Sequence, residues 1–553
     1  MKLTGSEIFC EVLVEQGVDT LFGYPGGAVL NLYDALYKYQ DRIRHIITAH
    51  EQGAAHAADG YARATGRTGV VLVTSGPGAT NLVTGIATAY MDSVPMVAIT
   101  GNVPTPLIGQ DSFQEVYIAG ITMPITKHNF VVDRVEDLAD ILREAFRIAQ
   151  TGRKGPVLVD IPKDMTAAVA DFEPAAPVKD TYVTEIDMAA VDKAAEIINS
   201  AQRPAIYYGG GVIASGATAE LAALMKKACM PGAYTLMAAG AVDSNDPLNL
   251  GMVGMHGCRT SNFALDNADV MVAVGTRFSD RVALSPDVFG RRAKLVQIDI
   301  DPSEVNKNVG VDVSLVGDVK DIICALLPKI NQSCRDEWLT QIADWKQEDY
   351  YPEDSETTLK PHQIIRKVNE MAGDEAIYVT DVGQHQMWAA QYLHHVKPRH
   401  FLTSGGLGTM GFGYGASIGA KIARPDRRVV HFTGDGSFHM NMNEACTAVS
   451  FGLPIITVIL DNHVLGMVRQ WQTSFYGKRY SCTDLDRRTD YVKVIEGFGG
   501  KGFRCETLPE LEKAMAEALK SDVPVWIHCL IDRDEKVLPM IPGGCTCDSI
   551  IME

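Results

Sequence analysis

The chain has 553 residues, 46% hydrophobic and 21% charged, a length for about three domains with the balance of a globular enzyme. A net charge of −18 argues against a nucleic-acid partner, and no apolar run reaches the roughly 20 residues a membrane helix needs. The 11 cysteines are odd in number and scattered, which reads as reduced thiols, and Cys545 and Cys547 lack the further ligands of a zinc site.

Thr4-Gly5-Ser6-Glu7 has the form of a capping box and opens a helix that ends near Gly17. Folding from residue 4 predicts no signal or transit peptide and a bacterial-type cytoplasmic protein. Over 4–162 strands and helices alternate. The strands expected at 20–22, 43–48, 69–74, 96–100 and 156–161 predict a parallel, doubly wound sheet. Residues 163–187, rich in Ala, Pro, Thr and acid, read as a linker. A second α/β unit follows over 188–327, then a polar linker over 328–359. A third unit spans 360–532, and a tail covers 533–553. The expectation is α/β with three doubly wound parallel-sheet domains, at 1–165, 188–327 and 360–532.

The third unit carries the stretch around which the rest is organised. The apolar run 428–433 enters Gly434-Asp435-Gly436-Ser437, with a helix expected over 442–449. The next apolar run, 454–460, enters Asp461-Asn462. Two strand ends of one parallel sheet would then present Asp435 and Asn462 to one crevice, where ligands of open α/β sheets bind. A carboxylate and an amide oxygen suit Mg²⁺ holding a diphosphate, because Mg²⁺ takes few hard oxygen ligands from protein and shares the rest with phosphate and water. Gly434 and Gly436 allow close backbone approach. Most Gly-Asp-Gly triplets are simple turns; the Asn at the next strand end sets this one apart.

The first unit has the same grammar. Its run 69–78 leads an apolar strand into Ser75-Gly76-Pro77-Gly78, so the first and third units read as distant copies. Pro25-Gly26-Gly27 and Thr74 to Asn81 are strand-end turns with free backbone N–H groups. Glu51 follows a strand at a helix start, where a carboxylate is often only a partner for the helix dipole. In the second unit Tyr207-Tyr208-Gly209-Gly210-Gly211 runs a strand into a Gly-rich turn, a weak sign of nucleotide binding by itself.

Together these runs resemble thiamine diphosphate enzymes, with Asp461-Asn462 standing where the family has an Asn pair. Over nearly the whole chain they resemble the biosynthetic acetohydroxyacid synthase large-subunit family. The resemblance rests on HEQGAAHAADGYAR around Glu51, GYPGGA around Gly27, IGQDSFQE (108–115), ITKHNF (125–130), TSGGLGTMGFGYGASIGA (403–420) and LGMVRQW (465–471). It implies Mg²⁺ on Asp435, Asn462 and the backbone carbonyl of Val464, where many members have His. Val382, Gly383, Gln384, His385, Gly408, Gly434, Gly436 and Ser437 would meet the cofactor, and Met410 would bend it so that its amine faces C2. Pro25, Gly26, Thr74, Pro77 and Asn81 would also bind it. Glu51 would be the activating carboxylate at the pyrimidine N1′, and Gly27 would aim its N–H at the reacting oxygen. Gln114 and Lys127 would serve catalysis; Phe113, Met467 and Trp471 would shape the substrate pocket.

In the second unit Gly209, Gly210, Gly211, His256, Gly275, Arg277, Arg281, Asp299, Ile300, Asp318 and Val319 match loops that contact FAD. The fermentative form of the enzyme lacks the run 277–281 and binds no flavin. FAD is therefore expected, in a structural role because the reaction is redox-neutral. The implied activity decarboxylates pyruvate and joins the remaining two carbons to pyruvate or 2-ketobutyrate. The products feed valine, leucine and isoleucine synthesis. A homodimer or dimer of dimers with a shared active site is implied, with a small regulatory subunit. Pyruvate oxidase, a simple 2-keto acid decarboxylase and an inactive binding module are the rivals. Glu51 and Asp435 together speak against the last.

Overall fold

The computed structural model describes residues 1–179, 185–485 and 487–553. Among them stand three six-stranded parallel sheets. Their central strands are apolar runs buried on both faces, such as Gly69–Val73 and Ile455–Asp461, as parallel sheets covered by helices require.

The first sheet places Arg44–Ile47, Thr20–Tyr24, Gly69–Val73, Met96–Asn102, Pro156–Pro162 and His128–Val131 side by side. The last places Phe401–Leu402, Ile377–Thr380, Val429–Gly434, Ile455–Asp461, Val525–Leu530 and Lys501–Cys505. Counted within its own domain, each runs second, first, third, fourth, sixth, fifth, so the kinship read between the two units extends to strand order. The middle sheet differs. Its order is Asn249–Met252, Gly232–Tyr234, Pro204–Tyr208, Val270–Val274, Lys294–Asp299 and Val313–Val316. That is third, second, first, fourth, fifth, sixth, the order of dinucleotide-binding sheets.

The five strands expected in the first unit form, shifted by at most two residues. The edge strand His128–Val131 lay inside a motif and had no apolar run to announce it. The capping box at Thr4 forms, with Thr4 Oγ1 accepting from the Glu7 N–H at 3.3 Å, and opens the helix Gly5–Glu15. The expected linkers are more ordered than their composition suggests. Residues 163–179 hold the short helix Lys163–Ala167 and the strand Val169–Asp171, which pairs antiparallel with Lys2–Thr4; positions 180–184 lie outside the described residues. The second linker holds the helix Asp336–Lys346. Its Trp338 is buried and donates its indole N–H to the Pro204 carbonyl at 3.1 Å. Trp338, Ile342 and Trp345 recur at helical spacing, a stripe hidden by the acid around it. The helix expected over 442–449 is two pieces, a tight turn Met442–Glu444 and the helix Ala445–Ser450. The tail folds back onto the middle domain, with the Ile541 N–H bonded to the Met255 carbonyl at 2.8 Å.

The first and third domains meet through two helices, Glu51–Thr65 and Phe412–Ala423. A Cβ on Gly419 would lie 1.9 Å from the Ala57 carbonyl oxygen, and one on Gly60 2.2 Å from that of Ala416. Only glycine permits this approach. No helix among the described residues is long and apolar enough to cross a membrane.

Candidate functional site

The strand order of the third domain reverses between Ile377–Thr380 and Val429–Gly434, and its ligand crevice belongs at their carboxyl ends. Asp435 begins a single helical turn there, Asp435–Phe438, and the register Gly434↔Leu460 carries the next residue, Asp461, alongside it. Asp435 is buried. Burial, then the neighbouring Asp461, pushes its carboxyl above the usual carboxylate range. Asp461 goes the other way. Burial would raise it, but a 2.7 Å bond to His528 Nε2 and a 2.9 Å bond from the His463 N–H outweigh that and hold it below the usual carboxylate range. Ligand atoms of Asp435, Asp461 and His463 lie within 4.8 Å of one another.

Asn462 is locked in place. Its Oδ1 accepts from the Val464 N–H at 3.3 Å, and its amide donates to Gln384 Oε1 at 3.1 Å. Gln384 in turn donates to Gln470 Oε1 and to the Glu535 carbonyl. His385 is buried, its Nε2 has no hydrogen-bond partner, and burial lowers it to about 4. A Cβ on Gly434 would lie 2.9 Å from His385 Nδ1, and one on Gly436 2.8 Å from Leu465 and 4.0 Å from the Met410 methyl. Ser437 Oγ accepts from the Gly411 N–H at 3.1 Å. A carboxylate, an amide oxygen and the Val464 carbonyl are a donor set that fits a hard divalent cation. The unpartnered His385 nitrogen fits a bound anion beside it.

This crevice opens into a cavity of about 1710 Å³ that reaches the middle domain. Its walls include every third-domain position expected at the cofactor, from Val382 to Ser437, together with Met467 and Trp471. These two lie one turn apart on the helix Gly466–Phe475 and share a face. Every position expected at the flavin lines the other limb. The Gly-rich turns after Pro204–Tyr208 and Val270–Val274 meet at the point where the middle sheet reverses. There a Cβ on Gly211 would lie 2.7 Å from Gly275 Cα. His256 Nε2 is buried without a partner, and burial lifts Asp299 to about 6. Asp318 caps the helix Val319–Leu326, accepting from the Lys320 N–H at 2.9 Å.

The first-domain residues gather elsewhere, and Glu51 does not line this cavity. Glu51 is half-buried and accepts from the Asn81 amide at 2.9 Å. A Cβ on Gly78 would lie 3.4 Å from Glu51 Oε1, one on Gly26 2.5 Å from Thr74, and one on Gly76 2.8 Å from the Gln114 carbonyl oxygen. Gln114 has φ +61°, a conformation held at a cost that functional sites often carry. Around the Cβ position of Gly27 nothing lies within 4 Å. Pro25 is half-buried, Pro77 is exposed, and Phe113 is 88% exposed. Lys127 does not line the large cavity. It stands just before the edge strand His128–Val131, and its ammonium donates to the Ile148 and Thr151 carbonyls at the end of the helix Leu138–Gln150. Reading the sequence missed Asp461 as a second buried carboxylate. Its partner His528 sits 67 positions away, and no local signal joins the two.

Family models described as thiamine pyrophosphate enzyme match all three domains: the N-terminal TPP binding domain at 3–121, the central domain at 191–326 and the C-terminal TPP binding domain at 381–529. The acetolactate synthase large subunit of Parasynechococcus marenigrum is 46% identical over 98% of this chain and 90% of its own length. The acetolactate synthase isozyme 2 large subunit of Escherichia coli is 44% identical over 98% of both. The mitochondrial acetolactate synthase catalytic subunit of Saccharomyces cerevisiae is 43% identical over 99% of this chain and 84% of its own. With the metal-type crevice and the paired domains already in place, these likenesses put the chain among the thiamine pyrophosphate enzymes, in the acetolactate synthase large-subunit family.

Proposed function

We propose that this chain decarboxylates pyruvate and joins the two-carbon remainder to a second 2-keto acid. With pyruvate as acceptor the product is 2-acetolactate; with 2-ketobutyrate it is 2-aceto-2-hydroxybutyrate, en route to valine, leucine and isoleucine. The observation that carries this reading is the pairing of an oxygen-ligand crevice at Asp435 and Asn462 with a separate carboxylate, Glu51, oriented by Asn81. Thiamine diphosphate, when bound, supplies the electron sink that no side chain offers. Asp435, Asn462 and the Val464 carbonyl would hold Mg²⁺, and His385 would meet the diphosphate. Glu51 would exchange a proton with the pyrimidine N1′, and the Gly27 N–H, on a residue with open space around its Cβ position, would stabilise charge on the reacting oxygen. The identity of the carbon product made from pyruvate is the test.

FAD would occupy the middle-domain limb, between the glycine turns and Arg277, in a structural role. The strand order of that sheet and the unpartnered His256 nitrogen support this. The 11 unbridged cysteines suit a cytoplasmic setting, and the relatives' description as large subunits supports a small regulatory partner.

A second copy of the chain would complete each active site, because Glu51 and Asp435 lie in different groups. Apolar side chains near Gln114 stand exposed, Phe113 at 88% and Tyr117 at 70%, as a surface awaiting cover does. Mixing inactive Glu51→Ala and Asp435→Ala chains should then recover activity, since a mixed dimer holds one intact site. No recovery despite proven subunit exchange would refute the shared site.

Trp471 should set the acceptor. Its ring meets Phe475 edge-on at 5.3 Å and walls the cavity beside the metal loop. Pyruvate and 2-ketobutyrate differ by one methylene, worth about 1–3 kcal/mol in an apolar pocket. Trp471→Leu should lower the preference for 2-ketobutyrate by roughly 10-fold while pyruvate turnover survives. A competition assay scored by product ratio checks this, and an unchanged ratio would make Trp471 a packing residue only.

A further inference from the structure

The elbow that leads into Glu51 is gripped from the other domain by one carboxylate. Glu444 is fully buried at the end of the turn Met442–Glu444. Its Oε2 accepts from the Ala49 N–H at 3.1 Å and its Oε1 from the His50 N–H at 3.0 Å. Thr447 Oγ1 donates to Oε2 at 2.6 Å, which fixes the carboxylate plane. One acceptor per backbone N–H is a two-point grip that sets both the place and the rotation of the elbow. The opposite face has been cleared for it. A Cβ on Gly53 would lie 2.1 Å from Glu444 Oε1, so the first turn of the Glu51 helix admits this carboxylate only because residue 53 is glycine. The elbow's own bonds, Thr48 Oγ1 to the His50 carbonyl at 2.9 Å and the Gln52 N–H to His50 Nδ1 at 3.1 Å, shape it locally but tie it to nothing outside its domain.

Holding the domains together does not require this arrangement. The glycine-packed helices Glu51–Thr65 and Phe412–Ala423 already do that, and burying a carboxylate is costly. Burial pushes Glu444 up, against three hydrogen-bond donors that favour its charged form. A catalytic carboxylate, in contrast, must be held to within about 0.5 Å. Glu51 is the residue immediately after the two gripped N–H groups.

We propose that Glu444 is a positioning residue for Glu51: its carboxylate fixes the elbow at Ala49 and His50 and so aims the activating carboxylate at its proton. The segment that begins with the metal-type Asp435 thereby also sets the geometry of the first-domain group. This rests on the role given to Glu51 above.

The test is hydrogen–deuterium exchange at C2 of thiamine diphosphate bound to the holoenzyme, read by quenched flow and NMR. The wild-type enzyme is compared with Glu51→Gln, Glu444→Gln and Thr447→Val. Glu444→Gln keeps the shape but turns an NH₂ towards one of the two N–H donors. Exchange and kcat should fall together by about 10- to 100-fold, the scale of a misplacement near 1 Å, with pyruvate KM and cofactor affinity little changed. Thr447→Val should cost a few-fold in exchange. Normal exchange in folded, cofactor-loaded Glu444→Gln would overturn the proposal. So would a loss confined to melting temperature and cofactor binding. If Glu444→Gln does not fold, Thr447→Val decides by the same criterion. Glu51→Gln separates the two levels. Normal exchange there would refute the role of Glu51 itself, whereas slow exchange there beside normal exchange in Glu444→Gln would refute only the positioning.

Discussion

Glu51→Gln should lower turnover by about 10²–10⁴-fold, the range for losing a general acid–base group, with thiamine diphosphate still bound. The substitution keeps volume and one acceptor oxygen, so the 2.9 Å bond from Asn81 and the grip on Ala49 and His50 can persist. What disappears is the ability to take and return a proton. The elbow is held at its backbone N–H groups by Glu444 and not by the Glu51 side chain, so the variant should fold as the parent does, and the loss should fall on kcat. Steady-state kinetics with a parallel cofactor titration measures both. A near-normal rate would remove Glu51 from the chemistry and return it to the helix-dipole role its position alone suggests.

Asp435→Ala should abolish measurable anchoring of the diphosphate. The crevice offers two side-chain oxygens, from Asp435 and Asn462, and one backbone carbonyl, so losing the carboxylate removes the principal charge from a site with few ligands. The neighbouring Asp461 is already engaged, its Oδ2 by His528 Nε2 at 2.7 Å and its Oδ1 by the His463 N–H at 2.9 Å. Mutating residues that only support a metal ligand typically costs 10–100-fold in affinity, and the loss here should exceed about 100-fold. Titrating the folded variant with thiamine diphosphate and Mg²⁺, followed by tryptophan fluorescence, checks it. Unchanged affinity would contradict the assignment.

What the sequence announced was local. The turns at Gly434-Asp435-Gly436 and Gly209-Gly210-Gly211 follow apolar strands directly, and a strand end in a parallel sheet faces the ligand side whatever the rest of the chain does. The three-sheet architecture followed from the same alternation of strand and helix. The illegible contacts are those that cross the chain. Glu444 and His50 are 394 positions apart, and Asp461 and His528 differ from any other acid and histidine only by the pairing of their strands. Glu51 needed the family resemblance, since a carboxylate at a helix start is commonplace. The helix Asp336–Lys346 did show its apolar stripe, but surrounding acidic residues masked it. Lys127 also needed the family resemblance; its ammonium donates to two carbonyls at a helix end, a contact that nothing in its own motif announces.

The most direct test of the account is the carbon product formed from pyruvate alone by the holoenzyme, measured with thiamine diphosphate, Mg²⁺ and FAD present and with each withheld in turn. The account predicts 2-acetolactate, lost without thiamine diphosphate or Mg²⁺ and not coupled to any reduction of the flavin. Acetaldehyde as the main product, or acetate or acetyl phosphate formed at the expense of an oxidant, would contradict it.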